Sequence, residues 1–250
     1  MKGDGLIRTG VVVAFFLALE ILCRLGIVDR LTMVPPSEMA VALVDVFRTP
    51  ALLAQVGASL LNIAAAMALT IAVGFILGVA IHAAPRLRRT LDPLLSGYYA
   101  LPLFAFYPLF IVVFGIGHLA IISMGFLTGL AAMVLSTVNG LDNIPVVLDK
   151  VARTYRMGPV DTALRLKLPA AAPYLVTGVQ LSIAYGFIGV IASEFILSGA
   201  GLGYAIGFAY NSFDTRGMYG LILVVLVLTG LLNTALYLWD KRLDMRRRRS

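Results

Sequence analysis

Few ionisable side chains in this chain are placed to do chemistry together. Glu20 and Arg24 stand four apart inside an apolar run, so they share one face of a helix and can pair. Such a pair is either an ion or substrate site or a structural contact near a helix end, and the structural contact is the reading adopted. Glu194 sits near the end of another apolar run without a cation close in sequence. There it can gate a path, touch an external partner or reach an interface. His82 and His118 flank apolar runs and read as interfacial. Cys23 is the single cysteine, which leaves no disulfide framework and no multi-cysteine zinc site. The chain has no G-x-x-x-x-G-K-[ST] phosphate loop, no H-E-x-x-H and no G-x-S-x-G. We therefore expect no catalytic residue, metal or cofactor, and any ATP hydrolysis must lie on another chain.

The elements around these residues belong to a membrane. Of 250 residues, 60% are hydrophobic and only 13% charged, with a mean hydropathy of +0.94. A soluble domain carries about twice that charge. Residues 93–141 form a run of 49 without formal charge. As helix that run would measure roughly 73 Å, over twice a ~30 Å hydrocarbon core, so it must fold back once. The break is predicted at Phe114-Gly115-Ile116-Gly117-His118. The fold expected is all-α and integral to the membrane, one domain over 1–250 with six spans near 10–28, 59–82, 94–115, 118–139, 173–197 and 217–239. Gly74 and Gly78 give the second span a small-xxx-small spacing for close helix approach. Residues 10–28 lack a small-residue cleavage site, so they are read as a retained span and not a signal peptide.

The net charge of +7 belongs to topology. With six spans and both termini inside, 16 of the 20 Lys and Arg residues fall on the inner side, including the tail Arg246–Arg249. That tail suits anionic lipid better than nucleic acid. Residues 195–213 are long enough to span but carry Ser198-Gly199-Ala200-Gly201-Leu202-Gly203, which predicts an outer loop with a short re-entrant or interfacial helix. Ser37 is positioned to cap a helix over the outer segment, with Glu38 in its first turn and Met39, Leu43, Val46 and Phe47 as its apolar stripe. Pro102 and Pro108 break the third span, which exposes carbonyls around Ala100–Phe104 to solute or water, or produces an ordinary packing kink.

The inner segment 140–172 holds two helices. Met157-Gly158-Pro159 ends one and starts another, glycine supplying a left-handed stop and proline a first-turn start. The second helix, about 159–167, ends at Leu168-Pro169. Val160, Leu164 and Leu168 form its apolar stripe. Such a helix enters either lipid or a groove on a partner.

Here the residues resemble a known family. The segment closing in Leu166-Lys167-Leu168-Pro169 resembles the cytoplasmic loop of binding-protein-dependent ABC importer permeases. In that register Lys150, Val151 and Ala152 stand at the E-A-A triplet and Arg156 at the motif's glycine, so only Ala152 and the closing residues match. Leu101-Pro102, Ala105, Pro108-Leu109 and Phe114-Gly115-Ile116-Gly117 resemble the third span of the nitrate/taurine/sulfonate subfamily. Ser193-Glu194 followed by Gly201-Leu202-Gly203-Tyr204 resembles its fifth-span exit. Asn62 departs from the pattern, since many relatives carry arginine there.

The resemblance implies a type I importer permease in the bacterial inner membrane. It would form a homodimer that docks two ATPase subunits and receives solute from a periplasmic or lipoprotein binding protein. The solute expected is a small anion, such as a sulfonate, taurine, nitrate or an aromatic carboxylate, with an uncharged heterocycle as the other option. Helix 159–167 would be the coupling helix, presenting Pro159, Val160, Asp161, Ala163, Leu164, Arg165, Leu168 and Pro169 to the ATPase. Candidates for the translocation path are Pro102, Ala105, Tyr107, Pro108, Ser193 and Glu194. The competing reading is a stand-alone six-span secondary transporter or channel, which would need ion-coupling acids at mid-membrane. An intramembrane enzyme lacks any nucleophile–base pair.

Overall fold

Glycine and proline divide a largely apolar chain into helices, and no strand occurs among the described residues. The computed structural model describes residues 2–247, so Arg248 and Arg249 of the basic tail lie outside the described residues. The elements are α1 (Lys2–Arg24), α2 (Pro36–Arg48), α3 (Pro50–Ala83), α4 (Pro85–Gly97), α5 (Tyr107–Phe114), α6 (His118–Asp142), α7 (Val147–Thr154), α8 (Pro159–Thr162), α9 (Leu168–Leu197), α10 (Leu202–Asn211) and α11 (Thr215–Arg247). Four helices are long and apolar enough to cross a membrane: Pro50–Ala83, His118–Asp142, Pro159–Ile196 and Thr215–Arg242. The bent pair Pro85–Ala100 and Leu103–Phe114 adds a fifth candidate.

Three boundaries differ from expectation. The segment 94–115 is not one helix, because the chain turns by 95° between the two members of the bent pair. Pro102 follows the short 3-10 turn Tyr98–Ala100 and precedes a second, Leu103–Phe106. Its ring removes a donor and blocks a straight helix through that point. The fifth span does not begin afresh at residue 173. Helix runs on from Pro159 to Ile196, because Ala163–Lys167 widens into a π turn in which the Leu168 amide reaches back to the Ala163 carbonyl. That wider turn tolerates Pro169, which has no N–H to offer. Ser37 is not a cap for α2. Its amide and hydroxyl both donate to the Glu20 carboxylate, at 3.0 and 2.7 Å, so the acid at the helix N-terminus comes from α1. Arg24 Nε completes the group at 2.6 Å from Glu20.

The described residues fall into two compact units, one from the N-terminal residues to Ser59 together with Glu194 onward, the other from Leu60 to Ser193. In the second unit small residues let helices meet closely. A Cβ on Gly74 would lie 2.7 Å from Met133 Cβ, and one on Gly78 2.5 Å from Thr137 Cβ, which is the approach of α3 to α6 that the glycine spacing predicts. Gly178 meets Ser136 in the same way, at 2.6 Å, joining α9 to α6. In the first unit α2 and α11 are in contact where Gly220 faces Ala42. Met39, Ala42 and Val46 of α2 are buried, whereas Phe47 of the predicted stripe is exposed. The outer loop's predicted short helix is α10.

Candidate functional site

The segment from α7 to the π turn is tied into a compact knuckle. Helix α7 ends in a Schellman motif: the Met157 amide donates to the Ala152 carbonyl at 2.9 Å and the Arg156 amide to Arg153 at 3.1 Å. The left-handed residue of that motif is Arg156, with φ 52°, and not Gly158, which is extended at φ −66° and precedes Pro159. Arg156 thus holds the conformation that glycine would adopt at the motif position it occupies. Lys167 pairs with Asp149 at 3.0 Å, tying the π turn back to α7, and Arg165 pairs with Asp161 at 3.1 Å.

Behind this knuckle Arg88 grips Asp142 with two nitrogens, at 2.7 and 2.5 Å, and His82 Nδ1 lies 3.0 Å from the same carboxylate. Burial pushes the Asp142 carboxyl up, but the Arg88 hydrogen bond and charge, with His82 in support, outweigh it and hold the carboxyl below its ordinary value. A cleft of about 620 Å³ separates Phe75, Val79 and His82 of α3 from Leu164, Lys167 and Leu168.

Val160 and Leu164 face outward, 69% and 60% exposed, flanked by exposed Pro159, Asp161, Ala163 and Arg165. Leu168 is half-buried, because the extra residue in the π turn rotates everything after it by about 100°. The three-residue stripe predicted from spacing is therefore a two-residue one. Pro169 is exposed.

At the break, Pro102, Ala105 and Pro108 are exposed while Tyr107 is fully buried against Ala120 and Met124. The carbonyls expected to open onto a path are partly taken by the turn itself: those of Leu101, Pro102 and Phe104 accept from Leu103, Ala105 and Tyr107. Tyr98 donates its hydroxyl to the Leu127 carbonyl at 2.5 Å, securing the bend against α6. Asn62, buried in α3, accepts through its amide oxygen Oδ1 from the Nδ1–H of His118 at 2.7 Å.

Ser193 is buried and returns its hydroxyl to the Gly189 carbonyl of its own helix at 2.6 Å. Glu194 is also fully buried, so its side chain is not a surface contact. Ser59 Oγ donates to its Oε2 at 2.5 Å, and the Gly203 amide donates to the same oxygen at 3.2 Å. Ser59 in turn accepts the Leu202 amide at 2.6 Å, and Gln55 accepts the Gly201 amide at 2.6 Å. Sequence reasoning missed Ser59 and Gln55. Their one signal is that both are polar within the first turns of α3, otherwise nearly all apolar. Among the described residues no three His, Cys, Asp or Glu side chains gather to hold a metal.

Residues 70–249 match the family described as binding-protein-dependent transport system inner membrane component. The chain is 30% identical over 182 residues to the nitrate import permease protein NrtB of Leptolyngbya laminosa, covering 73% of this chain and 65% of that protein. It is 28% identical to the bicarbonate transport system permease protein CmpB of Synechococcus elongatus, over 77% and 69%. To the taurine transport system permease protein TauC of Escherichia coli it is 26% identical, over 88% and 82%. The match thus spans about two thirds of the first relatives' own length. A solved structure of the MetNI methionine ABC transporter in an inward-facing conformation contains a chain of similar fold. Its TM-score is 0.66 at 20% identity, covering 77% of this chain and 95% of that one.

Proposed function

Since the chain belongs to the family of binding-protein-dependent transport system inner membrane components, we propose that it is the membrane permease of an ABC importer. It hydrolyses nothing itself and carries a small anion of the nitrate, bicarbonate, taurine or sulfonate kind. The relatives' names support that solute class. With α1 as the sixth span, both termini lie in the cytoplasm of a bacterial cell and the segment 147–169 faces its ATPase. Two permease copies and two ATPase subunits complete the assembly, with a solute-binding protein outside.

The observation that carries this reading is the pair Val160 and Leu164, exposed on a helix that the Lys167–Asp149 ion pair ties back to α7. An exposed apolar pair on a braced element suits a groove on a partner. Because the same helix continues unbroken to Ile196, a push on it moves a whole span, where a flexible loop would absorb the push. Arg24, the cation within the first span, is already held by Glu20. Tight anion selection then falls to the binding protein.

Purification of the tagged chain from its native membrane tests the docking. A stoichiometric ATPase subunit is expected with the wild type and is lost with Val160→Asp/Leu164→Asp. Retention of the ATPase by that variant would refute the assignment.

A further inference from the structure

The Glu194 network is more elaborate than holding a short helix requires. An ordinary helix start is capped by a Ser, Asp or Asn beside it in sequence. Here the first amides of α10 are received by Ser59 and Glu194, and the amide just before them by Gln55. These residues come from the start of α3 and the end of α9. A carboxyl group is fully buried to do it, and a buried polar group is tolerated only where hydrogen-bond partners converge on it. Gly201 has φ +108°, and a Cβ there would strike the Glu194 carboxylate, so the chain is shaped around that group.

We propose that Glu194 is a positioning residue that transmits movement from the inner coupling segment to α10. This rests on the coupling reading given above. Glu194 lies on the continuous helix from Pro159 to Ile196, roughly 57 Å long at 1.5 Å per residue. The helix begins at the coupling segment and ends two residues beyond the carboxylate. Helix α10 also carries Tyr204 and Phe208, which together with Gln55 of the network line a cleft of about 650 Å³ facing Ala42 and Val46 of α2. The Asp45–Arg216 ion pair, at 2.8 Å, stands at the same cleft. A shift of α9 carries α10 with it while the Glu194–Ser59 contacts hold, and so resets the width of that cleft. Buried hydrogen bonds weaken steeply when bent or stretched out of alignment, which suits a joint that moves as one body.

The test uses spin labels across the cleft, at Val44→Cys and Tyr210→Cys, both exposed positions, in a Cys23→Ser background. Glu194→Gln keeps one acceptor oxygen but replaces the carboxyl group by an amide, and Ser59→Ala removes the bridging hydroxyl. Both are expected to broaden the label-to-label distance distribution in the purified permease. In the assembled importer they are expected to cut ATP-driven uptake about tenfold while ATP hydrolysis continues at the wild-type rate. Ser59→Thr, which keeps the hydroxyl, is expected to restore both readouts. Unchanged distances in Ser59→Ala and Glu194→Gln would overturn the proposal, and so would hydrolysis and uptake falling together, the mark of a merely structural role. If Glu194→Gln fails to accumulate, Ser59→Ala decides by the same criteria. The distance measurement needs no ATPase, so a wild type without ATP-driven uptake would sink the importer reading and leave the joint to be judged separately.

Discussion

At the scale of the residue, Arg156 occupies a backbone state that suits glycine. A side chain in the left-handed region costs about 1–2 kcal/mol, partly offset by the extra freedom glycine has when unfolded. Arg156→Gly is therefore expected to raise stability by about 0.5–1 kcal/mol, read as a higher melting temperature in detergent; a lower one would contradict the Schellman assignment. Asp142 gives a pH dependence. Its folded carboxyl is held below the ordinary value of 3.8, so its contribution is complete at neutral pH and is lost as pH falls through the depressed folded value. Asp142→Asn should flatten the loss of melting temperature on acidification below about pH 4. A profile that follows the wild type would show that Arg88 and His82 hold nothing of consequence. Arg156 is marked in sequence by standing at the motif's glycine position, whereas nothing marks Asp142. Asp142 is merely the first charge after a long apolar run, and its partners lie more than 50 positions away.

At the scale of the element, helix starts and stops were legible where backbone chemistry alone decides them. The pair Gly115 and Gly117 ends one helix and admits the next as predicted, with Gly115 at φ 78°, and Gly74 and Gly78 mark the close approach to Met133 and Thr137. Gly78→Leu is expected to cost about 1–3 kcal/mol by overpacking, seen as lost melting temperature, and a tolerant site would show that α3 and α6 are not in contact there. Where a distant group competes, the sequence misleads. Pro169 reads as a stop, but a π turn absorbs it. Ser37 reads as a cap, but Glu20 takes the role. The Lys167–Asp149 bridge is exposed enough to be worth under about 1 kcal/mol. Lys167→Ala should therefore leave the melting temperature nearly unchanged, while uptake per ATP hydrolysed falls about two- to fivefold if bracing is its purpose. An unchanged ratio would remove the bracing role.

At the scale of the whole molecule, a chain of 250 residues with 13% charge has few charged groups with which to engage partners, so docking must fall to a few shaped segments. The all-helical fold and the family were readable from apolar run length, charge asymmetry and the residues around Leu101-Pro102 and Gly201-Leu202-Gly203. The bend in the third span and the buried setting of Glu194 were not, because both depend on contacts between segments far apart in sequence. The claim that unites these observations is that ATP, spent on a partner, drives solute through this chain by way of Val160 and Leu164. The direct measurement is uptake of labelled nitrate or taurine into vesicles holding the permease with its co-purified ATPase and binding protein, with ATP or an ion gradient as the energy source. The account predicts uptake that requires ATP, ignores the gradient and collapses in Val160→Asp/Leu164→Asp. Uptake driven by the gradient without ATP, and indifferent to those substitutions, would contradict it.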